Sequence, residues 1–116
     1  MKYLIITNHS YMLWQFRREL ISELLSRGEV VVSTPFVGRE EELSGLGCRL
    51  IKTDVDRRGI NPAKDLALFR RYRGIINSEK PDAVITYSIK PNIYGGIAAS
   101  RAGVPYFVNV QGLGSA

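Results

Sequence analysis

Residues 82–116 read DAVITYSIKPNIYGGIAASRAGVPYFVNVQGLGSA, and this stretch decides the fold. Ala83–Tyr87 is a short, nearly continuous apolar run, the pattern of a strand covered on both faces. A polar loop, Ser88–Lys90, follows. From about Pro91 or Asn92 to Ala102 small residues run at helical length, and Gly103 supplies the stop. Tyr106–Val110 is another strand, and Gln111–Ala116 is a glycine-bearing loop. Strand, helix and strand in this order make a parallel crossover unit, with polar residues gathered where the strands end.

The rest of the chain repeats the alternation. Lys2–Thr7 (KYLIIT), Glu29–Ser33 (EVVVS) and Cys48–Lys52 are three more strand-length runs. Between the first two, Leu13, Phe16, Leu20 and Leu24 recur at steps of three and four, which predicts an amphipathic helix over Tyr11–Arg27. Gly28 then serves as a left-handed stop. A short helix starts over Arg39–Leu43 and ends in the turn at Gly45 and Gly47. Asn61 caps a further helix with Pro62 at its first position. Leu66, Phe69, Tyr72 or Arg73, and Ile76 mark its buried face, and Pro81 bars continuation. The predicted fold is α/β, a Rossmann-like open parallel sheet of about five strands in the order 3-2-1-4-5, with helices on both faces. At 116 residues it is a single domain over 1–116. Ligands of such sheets bind outside the carboxyl ends of the strands, above all at the switch point between the first and fourth. Asn8–Ser10, Thr34–Gly38, Thr53–Ile60, Ser88–Lys90 and Gln111–Gly114 converge there.

Composition narrows the function. No apolar run approaches the roughly 20 residues that cross a bilayer. MKYLIITNHS has too short an apolar core for a signal peptide and no cleavage site, so it reads as a first strand. The one cysteine, Cys48, has no disulfide partner and no metal-ligand neighbours, as expected of a reducing cytoplasm. The net charge of +5, with arginine pairs at Arg17–Arg18, Arg57–Arg58 and Arg70–Arg71, favours anionic partners. No nucleic-acid motif accompanies that charge, so no nucleic-acid partner is expected. The turn after the first strand, TNHSYM, lacks the glycine fingerprint of a dinucleotide site, and no Gly-Lys-Ser/Thr phosphate loop occurs. The position where phospho-acceptor regulators carry acidic residues holds Asn8, His9 and Ser10. No cofactor and no metal are expected.

Several loops could carry binding chemistry. His9, the single histidine, lies with Asn8 at the switch point, as an acid, a base, a phosphate ligand or a plain loop residue. Ser88, Lys90 and Asn92 flank a helix start whose free N–H groups and lysine charge suit a phosphate or carboxylate. The small residues behind, Gly95, Gly96, Ala98 and Ala99, suit either close packing or close ligand approach. Arg57 and Arg58 offer forks for a diphosphate, or pair with Asp54 and Asp56. Gly112 and Gly114 allow close backbone approach after the fifth strand. Tyr11, Met12, Leu13, Trp14 and Phe16, followed by Arg17 and Arg18, would suit a membrane interface if their tip is exposed, and loop packing if it is not.

Four segments together are familiar: FRRELISELLSRG from Phe16, DRRGINPAKDL from Asp56, TYSIKPNIYGGIAASRAGVPY from Thr86 and NVQGLGSA from Asn109. With them the whole chain resembles the N-terminal domain of bacterial family-4 glycosyltransferases of the GT-B fold, of the type that builds capsule, O-antigen and lipid-linked oligosaccharides. The resemblance implies an acceptor-side domain for a lipid-linked or other saccharide acceptor. The sugar nucleotide would be held only by a separate donor domain, which lies beyond the chain's end at Ala116. It implies transfer without a metal, and a cytoplasmic protein with peripheral contact at the inner membrane. Where many relatives carry histidines after the fourth and fifth strands, this chain has Tyr87, Ser88 and Gln111-Gly112. An inherited acid or base role at Tyr87 is therefore in doubt. Asn8, His9, Arg57, Arg58, Tyr87, Ser88, Lys90, Asn92, Gly112 and Gly114 are the expected substrate-binding positions. Alone the chain is expected to catalyse no transfer, and its fifth strand is an open edge expected to pair with a second copy or a partner subunit. A non-catalytic module for a phosphorylated or lipid-linked ligand is the alternative.

Overall fold

The computed structural model describes residues 1–36, 38–55 and 61–109. Five parallel strands run in the order β3-β2-β1-β4-β5, as the sequence predicts. They are β1 (Lys2–Ile6), β2 (Glu29–Thr34), β3 (Arg49–Lys52), β4 (Ala83–Tyr87) and β5 (Tyr106–Asn109). Four α-helices join them: α1 (Ser10–Arg27), α2 (Glu40–Leu46), α3 (Pro62–Glu79) and α4 (Gly96–Ala102), the last preceded by a π-helical turn, Pro91–Gly95.

The register explains the two cores. Leu4 pairs with Val31 and Val84, so these three share a face, while Ile5, Val32 and Ile85 share the other. The first face packs on Leu68, Tyr72, Ile75 and Ile76 of α3 and on Ala98 and Ala99 of α4. The second packs on Leu13 and Ile21 of α1 and Leu43 of α2. Buried on both sides, the central strands need the unbroken apolar runs seen in the sequence. On β5, Tyr106, Phe107 and Val108 are all exposed. Phe107 pairs with Ile85 and so shares the α1–α2 face.

Local chemistry sets the helix ends. The Asn61 side chain accepts the Lys64 N–H at 3.2 Å, with Pro62 in the first turn, as predicted. Three glutamates, Glu40–Glu42, open α2, where the helix dipole favours anions.

Three expectations are corrected. Gly28 is not a left-handed stop, since its φ is 169°, an extended value. What it provides is room: a Cβ there would sit 1.9 Å from the Met1 carbonyl oxygen, which accepts the Glu29 N–H at 2.8 Å. The α1 stripe is also displaced. Leu13 and Ile21 are buried, whereas Phe16 and Leu20 are exposed. The cause is a kink at Arg17 (φ −129°, ψ 16°), which breaks the run of helical phase. In α3 the buried set is Asp65, Leu68, Tyr72, Ile75 and Ile76, while Leu66 faces out. The burial of Asp65 is explained by partners on another element.

Candidate functional site

The described loops at the carboxyl ends of the strands are joined by hydrogen bonds. After β1, Asn8 is buried, and its Oδ1 has no hydrogen-bond partner among the described residues. His9 is partly exposed, with its ring edge-on to Tyr11 at 5.5 Å. Ser10 ties this loop to the next one. Its hydroxyl donates to the Gly38 carbonyl at 2.7 Å and lies 3.1 Å from the Glu40 carboxylate, which also accepts the Gly38 N–H at 2.7 Å.

The loop after β4 is built differently from the expectation. Ser88 has φ 80°, a left-handed value unusual for a residue with a side chain. Residues 89 and 90 are already helical, so the helical stretch starts before Pro91. The Asn92 N–H is therefore not free: it donates to the Ser88 carbonyl at 2.9 Å. Proline fits near the start because it has no N–H to place there. The Asn92 side chain is engaged too. Its Oδ1 accepts the Thr86 hydroxyl at 2.7 Å, and its Nδ2 donates to the Asn109 carbonyl at 2.8 Å. Asn109 Nδ2 returns a bond to the Thr86 carbonyl at 3.3 Å. Asn92 thus staples β4 to β5.

Lys90 is likewise not a free charge ahead of a helix. Its Nζ donates to Asp65 Oδ1 at 2.8 Å, and the Tyr94 hydroxyl donates to Asp65 Oδ2 at 3.1 Å. The lysine first, and the tyrosine after it, hold the Asp65 carboxyl below the usual carboxylate range. The cluster joins α3 to the π-helical turn and closes the floor under the edge. Its pH signature has a definite sign. A depressed carboxyl stabilises the fold above its unfolded pKa, about 4, and that contribution fades as pH falls through the lower folded value. In Lys90→Met, Asp65 keeps a charge with one partner lost. We expect thermal unfolding of Lys90→Met well below wild type at pH 7, a deficit that narrows below about pH 4 as Asp65 protonates. Lys90→Met combined with Asp65→Asn should recover part of the loss. Equal deficits at both pH values would show that the pair does not govern stability.

Tyr87 is buried, and the Arg17 guanidinium lies 5.6 Å from its ring centre. Burial pushes the phenol pKa up, and Arg17 partly opposes it. This contact uses the residue at the α1 kink. The glycines behind the loop serve packing. A Cβ on Gly95 would lie 3.1 Å from Ile6 Cδ1 and 3.2 Å from Thr86 Cγ2.

Among the expected site residues, Asn8, His9, Ser88, Lys90 and Asn92 therefore gather at the carboxyl edge, with Tyr87 behind it. Arg57, Arg58, Gly112 and Gly114 lie outside the described residues, as does Asp56. Asp65, Tyr94 and Arg17 were not singled out as site residues from the sequence. The only signal for Asp65 was an acidic residue in a first helical turn, which ordinarily marks a solvated helix start. A cavity of about 530 Å³ lies at this edge between β3 and α3, with Lys52, Asp54, Lys64 and Arg71 on its walls. Among the described residues there is no His, Cys, Asp or Glu group able to hold a metal, and no helix long and apolar enough to cross a membrane.

Comparison with known proteins gives consistent likenesses. Residues 13–116 match the family described as Glycosyl transferase 4-like domain. Over 105 residues the chain is 31% identical to N,N'-diacetylbacillosaminyl-diphospho-undecaprenol alpha-1,3-N-acetylgalactosaminyltransferase of Campylobacter jejuni subsp. jejuni serotype O:2. That alignment covers 89% of this chain and 28% of the relative, so the chain spans little more than a quarter of the relative's length. Among solved structures, MurG of Acinetobacter baumannii superposes with a TM-score of 0.69 at 20% identity, covering 96% of this chain and 35% of that one. The C-terminal domain of the PF1911 hydrogenase of Pyrococcus furiosus superposes at 0.65 with 17% identity, covering 93% and 90%. At such identities these two likenesses concern the fold alone.

Proposed function

The chain belongs to the glycosyl transferase 4-like domain family, and from that membership we propose that it is the acceptor-binding portion of a glycosyltransferase acting in polysaccharide biosynthesis. The transferase moves a sugar from a sugar nucleotide to a saccharide carried on a lipid diphosphate. The observation that carries this reading is the 31% identity, across 89% of the chain, to a transferase whose name specifies a diphospho-undecaprenol-linked acceptor. The carboxyl edge supports it chemically. His9 and Ser88 offer polar groups to saccharide hydroxyls with the buried Asn8 behind them, and the cavity between β3 and α3 carries lysine and arginine suited to phosphate. Arg57, Arg58, Gly112 and Gly114 belong to the same proposal by their place in the sequence. Lys90, Asn92 and Tyr87 act behind these contacts, holding the β4 loop in one shape.

Transfer requires donor and acceptor in near-attack geometry. The sheet edge supplies one wall, and the sugar nucleotide is assigned to a donor region outside these residues. Such an acceptor also implies peripheral contact with the membrane that bears it, and pairing with a partner subunit or a second copy belongs to the same proposal.

The test is reconstitution. The chain is mixed with a donor-region polypeptide of the same family, labelled sugar nucleotides and lipid-diphosphate saccharides. Glycosylated lipid from the mixture, with none from either polypeptide alone, is the expected result. A second reading, a binding module without catalysis, is favoured by the internal pairing of Lys90 and Asn92, which leaves fewer groups for a reacting acceptor. Acceptor binding with no transfer from any mixture would select it.

A further inference from the structure

The two helical layers of the sheet have different surfaces. On the α3–α4 side apolar residues point outward: Ile89 is 77% exposed, Leu66 49%, Ile93 48% and Ile97 43%. The three isoleucines recur every four residues along the helical stretch. Leu66 and Ile97 both line a groove of about 430 Å³ whose other walls include Pro62 and Phe69. Ile97 also lines a second groove, of about 390 Å³, with Ile93 and Val108. Leu66, Ile97 and Ile93 are thus linked through two adjoining grooves, and Arg101 lies on both, its guanidinium 5.6 Å from the centre of the Phe69 ring.

Charge distinguishes the layers as sharply. From Ala83 to Asn109 the sequence contains no aspartate or glutamate. The two carboxylates of α3, Asp65 and Glu79, are bound to Lys90 and Arg49. The layer's outward charges are therefore cationic, with Arg70, Arg73 and Arg101 all exposed. Helical spacing carries Leu66, Phe69, Arg70 and Arg73 along one side of α3. The α1–α2 layer has Glu19, Glu23 and Glu40–Glu42 beside its arginines. The aromatic tip expected there is also partly used up: Leu13 is buried, and Arg18 covers the Trp14 ring at 4.7 Å.

We infer that the α3–α4 face docks on an anionic lipid surface, with Leu66, Ile93 and Ile97 entering the headgroup–acyl boundary and Arg70, Arg73 and Arg101 meeting lipid phosphates. Apolar residues rimmed by cations, with no free carboxylate among the described residues of the face, complement such a surface. Asp65 and Tyr94 line the first groove, so docking by this face sets the carboxyl edge at the membrane. The inference rests on the proposed membrane-borne acceptor for its biological setting. Vesicle binding is measured without transfer, so either can fail alone.

The test is flotation of the full chain with vesicles of phosphatidylglycerol and phosphatidylcholine, against phosphatidylcholine alone. Binding should require the anionic lipid, weaken with salt and fall roughly fivefold for each of Arg70, Arg73 and Arg101 changed to Gln. Ile97→Asp should weaken it strongly, and Phe16→Asp on α1 should leave it unchanged. Because these variants could also perturb folding, a polarity-sensitive dye on Ile93→Cys should brighten on vesicles, and the same dye on Glu23→Cys should not. Absence of vesicle binding, or loss with Phe16→Asp alone, overturns the inference. So does self-association abolished by Ile97→Asp in a chain that ignores vesicles, which would assign the face to a second copy.

Discussion

Tyr72→Ala should cost roughly 3–5 kcal/mol of unfolding free energy, enough to threaten the fold of a chain this size. Tyr72 is fully buried between the sheet and α4, and its ring reaches the site where a Gly95 Cβ would stand. Truncation removes an aromatic side chain and leaves a void that the strands cannot collapse to fill. The conservative change should go the other way. The Tyr72 hydroxyl has no hydrogen-bond partner among the described residues, and burial pushes its pKa up. A buried, unpaired hydroxyl carries a desolvation cost of about 1–3 kcal/mol, so Tyr72→Phe should be neutral or stabilising by up to about that much. Denaturant unfolding of both variants measures the pair. A loss in Tyr72→Phe would show that the hydroxyl is bonded in solution, by a water or by a residue outside those described.

Gly95→Val should cost about 1–3 kcal/mol through overpacking and should also disturb the candidate site. A Cβ alone meets Ile6 and Thr86 closer than ordinary contacts, and valine adds two methyl groups in the same space. Ile6 ends in a flexible methyl, whereas Thr86 is fixed by its bond to Asn92, so the strain passes to the β4–β5 staple. Gly74 provides the control. It lies in the interior of α3, and a Cβ there meets nothing within 4 Å. Gly74→Ala should stabilise by up to about 1 kcal/mol through helix propensity. Equal effects at both positions would show that propensity, not space, governs Gly95.

Strand order was legible because buried parallel strands leave continuous apolar runs, and the alternation with helices restricts their connection. The start of α3 was legible because Asn61 and Pro62 act within one turn. Errors arose where the cause lay elsewhere in the chain. The α3 stripe slipped because Asp65 is made buriable by Lys90, 25 residues away. The α1 stripe slipped at Arg17, whose guanidinium lies over Tyr87 on another strand. For Lys90 and Asn92 the local sequence shows charge and polarity but not their internal partners, Asp65 for the first and Thr86 and Asn109 for the second. Gly28 read as a stop because its need is space for Met1, which lies at the start of the chain and not in the local sequence.

The central claim is that the carboxyl edge binds a lipid-diphosphate saccharide, and titration of a short-chain, water-soluble analogue of that acceptor into the isotope-labelled chain tests it most directly. Amide resonances of Asn8, His9, Ser88 and the segment that follows β3 should shift together and saturate, with Lys2, Glu29 and Asp82 at the opposite edge unmoved. Shifts confined to that opposite edge, or none at millimolar analogue, would contradict the account.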